Sequence, residues 1–346
     1  SPASSVERVY ARGLFPPLRT GLTRLAGLCP VSLAELVLAA LGTTFLVWLA
    51  RALRDLARGR RRAVELGGAL VRGALWSAGG AYLAFLLLWG FNHGREPYAL
   101  SAGLEVRPSE PAELLAAAEE LVARANELRA GLAEDEQGVF RARLDRDGLS
   151  AAVAAAYARA GNEEALLAGP TPLVRFALAS PLLTSGGISG IYSPFTAEAH
   201  VNAAQPDAQL GFSACHEVAH ARGFAREDEA NYLAWRVGAR AEEPELAYSA
   251  TLGALRLVLA AMGGVDVSTR TALRAHLAPA VLRDLRAIDE FWSPSTRIAH
   301  TVRQVSNSIN DTYLKSQGQA QGTHSYGRMV DLLLAARRAR AVGTPR

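Results

Sequence analysis

Two apolar runs near the start of the chain leave it few ways to fold. From Val31 to Ala50 there are 20 residues whose only charge is Glu35, close to one end, and from Gly73 to Phe91 there are 19 with none. At about 1.5 Å of rise per residue, a helix of either length crosses a hydrocarbon core of roughly 30 Å. A pair of helices buried in a globular core would share this composition. Trp48, Trp76 and Trp89 lie near the ends of the spans, as interfacial aromatics do, which favours the membrane. Between the runs stands RALRDLARGRRR, with six arginines in 12 residues. The positive-inside rule assigns so short and basic a loop to the cytoplasm, and everything after Phe91 to the other side. A lipid bilayer is therefore an expected partner. Nucleic acid is not, because the basic run is pinned between two spans. That loop and the tail RRARAVGTPR also carry much of the net charge of +4.

A second stretch, SACHEVAHARGFAREDEANYLAW from Ser213 to Trp235, carries the chemistry. His216, Glu217 and His220 form an HExxH pattern. On a helix, residues four apart share a face, so both histidines can aim a ring nitrogen at one metal ion. Glu217 lies about 100° round the helix from His216. Its carboxylate then sits beside the metal, placed to take a proton from a zinc-bound water. Gly223 can end this helix in a left-handed turn, and a second helical run, EDEANYLAWRVG, follows at once. A catalytic zinc site takes three protein ligands and leaves the fourth position to water. A His-ligated variant of the pattern would need histidine at position 226, where Arg226 stands. The third ligand is then Glu227, with Glu229 its rival. Asn231, one turn after Glu227, is placed to orient a ligating imidazole. The same alanine-rich helix could carry these side chains as a solvated face with no metal. Cys215 reads as a small buried apolar residue. With Cys29 far away in sequence and context, neither a disulfide nor a cysteine metal motif is expected.

The remaining chain is mostly helical in pattern. Residues 1–30 read as an amphipathic helix broken at Pro16-Pro17, then a second short helix, together a collar on the outer membrane surface. NHGREPYALSAGLEVRPSEP is a punctuated linker, in which His93 reads as solvated. PAELLAAAEELVARANELRAGL and GLSAAVAAAYARAG have helical spacing. From Gly169 the composition turns to Gly, Pro and Ser, and IYSPFTAEAHVN then reads as a short strand or hairpin. Tyr192, Thr196, Glu198, His200 and Asn202 either line a substrate-binding strand edge or are the polar alternates of a packed strand. Two or three helices are expected over residues 244–291. The C-terminal region reads as helix, Gly/Gln-rich turn, helix. His324 and Tyr326 in that turn are candidate donors to a developing oxyanion, or members of an ordinary polar loop.

The pieces VERVYARGLFP, YSPFTAEAHVN, CHEVAHARGFAREDEAN and NDTYLKSQGQAQGTHSYGRMVDLLL resemble an uncharacterised family of bacterial membrane proteins, a domain of unknown function similar to zinc metallopeptidases (zincins). The resemblance covers nearly the whole chain and is most specific around His216. It implies a further membrane helix ahead of VERVYARGLFP and a membrane-anchored, zincin-like domain, with His216, Glu217, His220 and the pair Glu227/Glu229 on the family pattern. The expected fold is mainly α. Residues 1–30 form an extracytoplasmic amphipathic segment, 31–91 a two-helix membrane anchor, and 92–346 a helical zincin-like domain with a small β-strand or hairpin. The expected function is that of a zinc-dependent metallopeptidase of the bacterial inner membrane, acting on peptide or protein in the cell envelope. The alternative is a non-catalytic envelope protein, metal-binding or scaffolding, built on the same fold.

Overall fold

The computed structural model describes residues 2–293, 297–316 and 326–341. The protein is mainly helical, with one small sheet. Pro2–Ser5, Val6–Leu14 and Phe15–Gly27 follow one another with helical backbone, the middle stretch wound as a π-helix. A break at Pro16-Pro17 was expected, and the helical backbone instead continues through it. The two prolines fall in the first turn of the last stretch, where a missing N–H costs nothing. The first long helix, α1 (Leu33–Ala57), is capped by Ser32, whose hydroxyl accepts the Glu35 N–H at 3.1 Å. α2 (Ala63–Leu88) returns after the arginine-rich loop. Both carry apolar windows that the rest of the protein leaves unburied. Helices that are apolar all round and uncovered by protein require another apolar solvent.

Two helices long and apolar enough to cross a membrane were expected, and among the described residues three are found, the third being Pro244–Gly264. This one is 61% buried over its apolar window. An all-round apolar helix can equally be the centre of a protein core, and composition does not separate the two cases.

After α2 come α3 (Pro111–Arg129), with Pro111 in its first turn, and α4 (Arg146–Glu163), capped by Asp145. Then follow β1 (Val174–Ala177), β2 (Gly190–Ser193) and β3 (Glu198–Asn202). The sheet order is β1-β3-β2, with β1 parallel and β2 antiparallel to β3. The hairpin was expected from its alternation. β1 was not, because its four residues sit in Pro- and Gly-rich surroundings. After the sheet come α5 (Asp207–Ala221), α6 (Glu227–Gly238), α7 (Pro244–Ala261), α8 (Pro279–Trp292), α9 (Arg297–Ser316) and α10 (Tyr326–Ala341). α7 runs through the middle, packed on α3, α5, α6 and α10. Its Leu246, Leu252, Leu255 and Val258 are fully buried. One buried charge is fully tied here. Asp284 on α8 accepts from Arg129 Nε at 2.7 Å, from the Phe140 N–H at 2.7 Å and from the Tyr248 hydroxyl. These bonds join α3, α7 and α8 at a point where an unpaired carboxylate would cost several kcal/mol.

Candidate metal centre

α5 holds His216 and His220 one turn apart, facing the same way. The chain then reverses at Gly223, whose φ is +86°. A Cβ at this position would stand 2.8 Å from the Phe15 ring and 3.0 Å from Asn92 Oδ1. Only glycine meets both the backbone demand and the space. The reversal starts α6 at Glu227, which brings that carboxylate back over the two imidazoles. His216 Nε2 and His220 Nε2 are 3.0 Å apart. Glu227 Oε2 is 3.2 Å from the first, and its Oε1 is 3.5 Å from the second. In a tetrahedral zinc site with bonds of about 2.0–2.1 Å, neighbouring ligand atoms are about 3.3 Å apart. The three separations straddle that value. Among the described residues, His216, His220 and Glu227 are the group of metal-ligating side chains whose donor atoms converge in this way.

Proton positions follow from the partners of the other ring nitrogens. His220 Nδ1 lies 2.8 Å from the Phe224 carbonyl, which can only accept, so that nitrogen carries the proton. His216 Nδ1 donates in the same way to Asn231 Oδ1 at 2.9 Å. Both Nε2 lone pairs then face one point. Two lone pairs 3.0 Å apart repel unless a cation lies between them. Burial works against a charged His220, but Glu227 and Glu217 outweigh it and push it up to about 9. Burial likewise opposes the Glu227 charge, yet the two histidines hold its carboxyl well below the usual range. The Glu227 carboxylate thus favours a cation at the two rings.

Glu217 is 4% exposed. Burial raises its pKa, partly offset by His216 and His220, and its carboxylate accepts the backbone N–H of Tyr192 on β2. The strand passes so close that a Cβ on Gly190 would lie 2.6 Å from Glu217 Oε1. Glu229 takes no part in the cluster. Its Oε1 accepts the Tyr98 N–H at 2.7 Å. Cys215 is fully buried, and burial pushes its thiol up to about 12, so it is inert at neutral pH. Tyr326 opens α10, while His324 lies outside the described residues.

The strand-edge expectation needs correction for most of its residues. β3 is the middle strand, and all five of its residues are buried. Glu198 accepts the Leu33 and Ala34 N–H groups at 3.0 and 2.8 Å, capping α1. His200 Nε2 shares a 2.8 Å hydrogen bond with Ser32 Oγ. Asn202 bonds Thr184 Oγ1 and the Ile188 carbonyl. The polar alternates of β3 are internal ties, and the outer strands are β1 and β2.

Sequence reasoning missed the residues just past α2. Trp89 donates its indole N–H to the His220 carbonyl at 2.9 Å, and its ring meets the His220 ring edge-on at 6.0 Å. The His93 ring packs on Trp89 at 5.1 Å and is half-buried rather than solvated. Burial and then the field of His220 pull His93 down to about 4. Arg95 pairs with buried Glu7 at 2.9 and 3.0 Å and donates to the Gly223 carbonyl at 3.1 Å. The only signal in the sequence was the density of aromatic and polar side chains in WGFNHGREPY, directly after a span.

No curated protein and no solved structure matches the chain. One family model does, over residues 10–334, which takes in both N-terminal apolar helices, the sheet and the whole His216–Glu227 cluster. The chain belongs to the family described as protein of unknown function (DUF3810).

Proposed function

We propose that this protein is a membrane-anchored zinc-dependent peptidase with a zincin-like catalytic domain. The observation that carries the reading is the convergence of His216 Nε2, His220 Nε2 and the Glu227 carboxylate at separations of 3.0 to 3.5 Å, with both Nδ1 atoms tied to acceptors. These three side chains would hold zinc. Bound there, the ion supplies positive charge that acidifies a water and polarises a scissile carbonyl. Asn231 and the Phe224 carbonyl fix the tautomer and tilt of the two rings. Glu217, made more basic by burial, takes the proton from the attacking water and returns it to the leaving amine. The arginine-rich loop between the spans supports an extracytoplasmic domain on a bacterial inner membrane, and in this reading the substrates are peptides or proteins of the envelope.

The burial of Glu217 favours a second reading, in which the cluster holds a metal without turnover and the domain acts as a scaffold. Two measurements separate these. Elemental analysis of detergent-purified protein should give one zinc per chain, lost in Glu227→Ala and kept in Glu229→Ala. Glu217→Gln should keep the zinc and abolish hydrolysis. Zinc missing from the wild type after reconstitution would end the metal reading, and full complementation of a deletion strain by Glu217→Gln would favour the scaffold.

A further inference from the structure

We propose that the polypeptides cut at this site are themselves tethered to the same bilayer, and that they are cut next to the membrane surface. This rests on the peptidase reading above and adds the substrate class.

The end of α2 stands against the metal centre, and the start of α1 is tied to it through the sheet. α2 stops at Leu88, and the next residue, Trp89, touches His220 through its ring and through a 2.9 Å hydrogen bond. α1 begins at Leu33, held by Glu198 and His200 of β3. The hairpin partner of β3 is β2, the strand that lies against Glu217. Tyr192 of β2 packs its ring 5.7 Å from Trp89. The two imidazoles therefore stand within roughly 10 Å of the end of a span, given the size of one indole and 1.5 Å of rise per residue. The headgroup layer is itself about 5–8 Å deep on each side of the hydrocarbon. The site is thus level with the headgroups or just above them.

The rim of the domain carries apolar side chains at the same height. The Leu178 N–H bonds Glu35, in the first turn of α1, at 2.7 Å. Leu178 is 83% exposed and Leu182 is 74% exposed. Leu18 and Phe91 are also exposed, beside the exit of α2. Ile191 and Phe195, on β2 and the hairpin turn, are about half exposed as well. Apolar groups flanking the ends of two membrane helices are covered by lipid. A folded soluble protein would have to bring a loop down into the headgroup layer to reach the site. A chain that emerges from the bilayer is already there. An extended chain covers about 3.3 Å per residue, so a cut 10 Å from the hydrocarbon falls three residues from a span along the shortest path. Sideways travel widens that to about ten.

The test uses the full chain and Glu217→Gln, each reconstituted with zinc into vesicles that also carry a solubilised membrane proteome, with a soluble-protein extract added outside. New N-termini are labelled and read by mass spectrometry. The expected result is Glu217-dependent termini at least tenfold enriched within about ten residues of a span or lipid anchor. Glu217-dependent termini spread equally over soluble proteins would overturn the tethering and leave the peptidase standing. No Glu217-dependent termini at all would overturn both. A second measurement needs no substrate. A fluorophore on Phe195→Cys, in a Cys29→Ser background, should be quenched by spin-labelled lipid several-fold more than one on Glu127→Cys of α3. Equal quenching would place the rim away from the lipid and refute the inference.

Discussion

Glu229 stands on the same first turn as Glu227, yet it does a different job, and replacing it by glutamine separates the two. Its side chain is almost fully buried and accepts the Tyr98 N–H at 2.7 Å. Burial, and then the charge of Asp228, push its carboxyl up from 4.5 to about 7. The folded protein therefore keeps a proton that the unfolded chain has released. Between pH 4.5 and 7 the unfolded state binds fewer protons, so stability falls as pH rises through that window, and the penalty is complete above 7. At about 1.4 kcal/mol per pH unit, that window amounts to about 3 kcal/mol. Glutamine keeps an oxygen for Tyr98 and carries no charge. Glu229→Gln should match the wild type at pH 4.5 and exceed it at pH 8. With about 2 °C per kcal/mol for a domain of this size, the gain in Tm is about 6 °C. Thermal unfolding in detergent at a series of pH values, with zinc content measured on the same samples, reads both quantities. An offset that does not change with pH would refute the assignment of a buried, proton-holding Glu229. Loss of zinc in this variant would move the third ligand from Glu227 to Glu229.

Asn231→Ala removes the acceptor that fixes the His216 tautomer, and should weaken zinc binding by about 10–100-fold in a chelator competition. Asn231→Asp should restore it, whereas an unchanged affinity in the alanine variant would show that His216 is oriented by something else. Gly223→Ala forces a side chain into a left-handed backbone and against Phe15 and Asn92, at a cost of about 2–4 kcal/mol. Calorimetry should show a Tm several degrees lower, and a Tm within 1 °C of the wild type would mean that the turn repacks freely.

What could be read from the sequence was local and periodic. His216 and His220 share a face because a helix repeats every 3.6 residues, and two long apolar runs have a bilayer's dimensions whatever surrounds them. What could not be read depended on tertiary partners. The alternation of β3 suggests one wet face, but the strand lies between β1 and β2 with both faces covered, so Glu198 and His200 became caps and ties for α1. β1 has four residues and too little pattern to register. α7 is apolar on most sides, which in sequence fits a span as well as a core helix. The acceptor that sets the His220 tautomer is the carbonyl of Phe224, a backbone group for which no residue type is a signal. Trp89 and His220 are 131 positions apart, beyond the reach of any periodic argument.

Those long-range ties change what the anchor is. If α1 and α2 only moored the domain, the chain near their ends would meet it through exposed, replaceable contacts. Instead, buried Trp89 bonds the backbone of a candidate metal ligand. Arg95 joins Glu7 of the N-terminal segment to the carbonyl of Gly223, the residue on which the whole reversal into Glu227 depends. Glu198 spends a buried carboxylate on the first two N–H groups of α1 and is flanked by Arg175, which also caps the preceding segment through the Ala26 and Cys29 carbonyls. Each of these groups is buried or half-buried, and each would be left unsatisfied if the membrane segment moved away, at about 1–3 kcal/mol apiece. The positions of the spans and the geometry around His216, His220 and Glu227 are therefore coupled. A fragment beginning after the second span would lack Trp89 and the Glu7 partner of Arg95, and with them part of the wall behind His220. The two long apolar helices complete the wall of the cluster beside them.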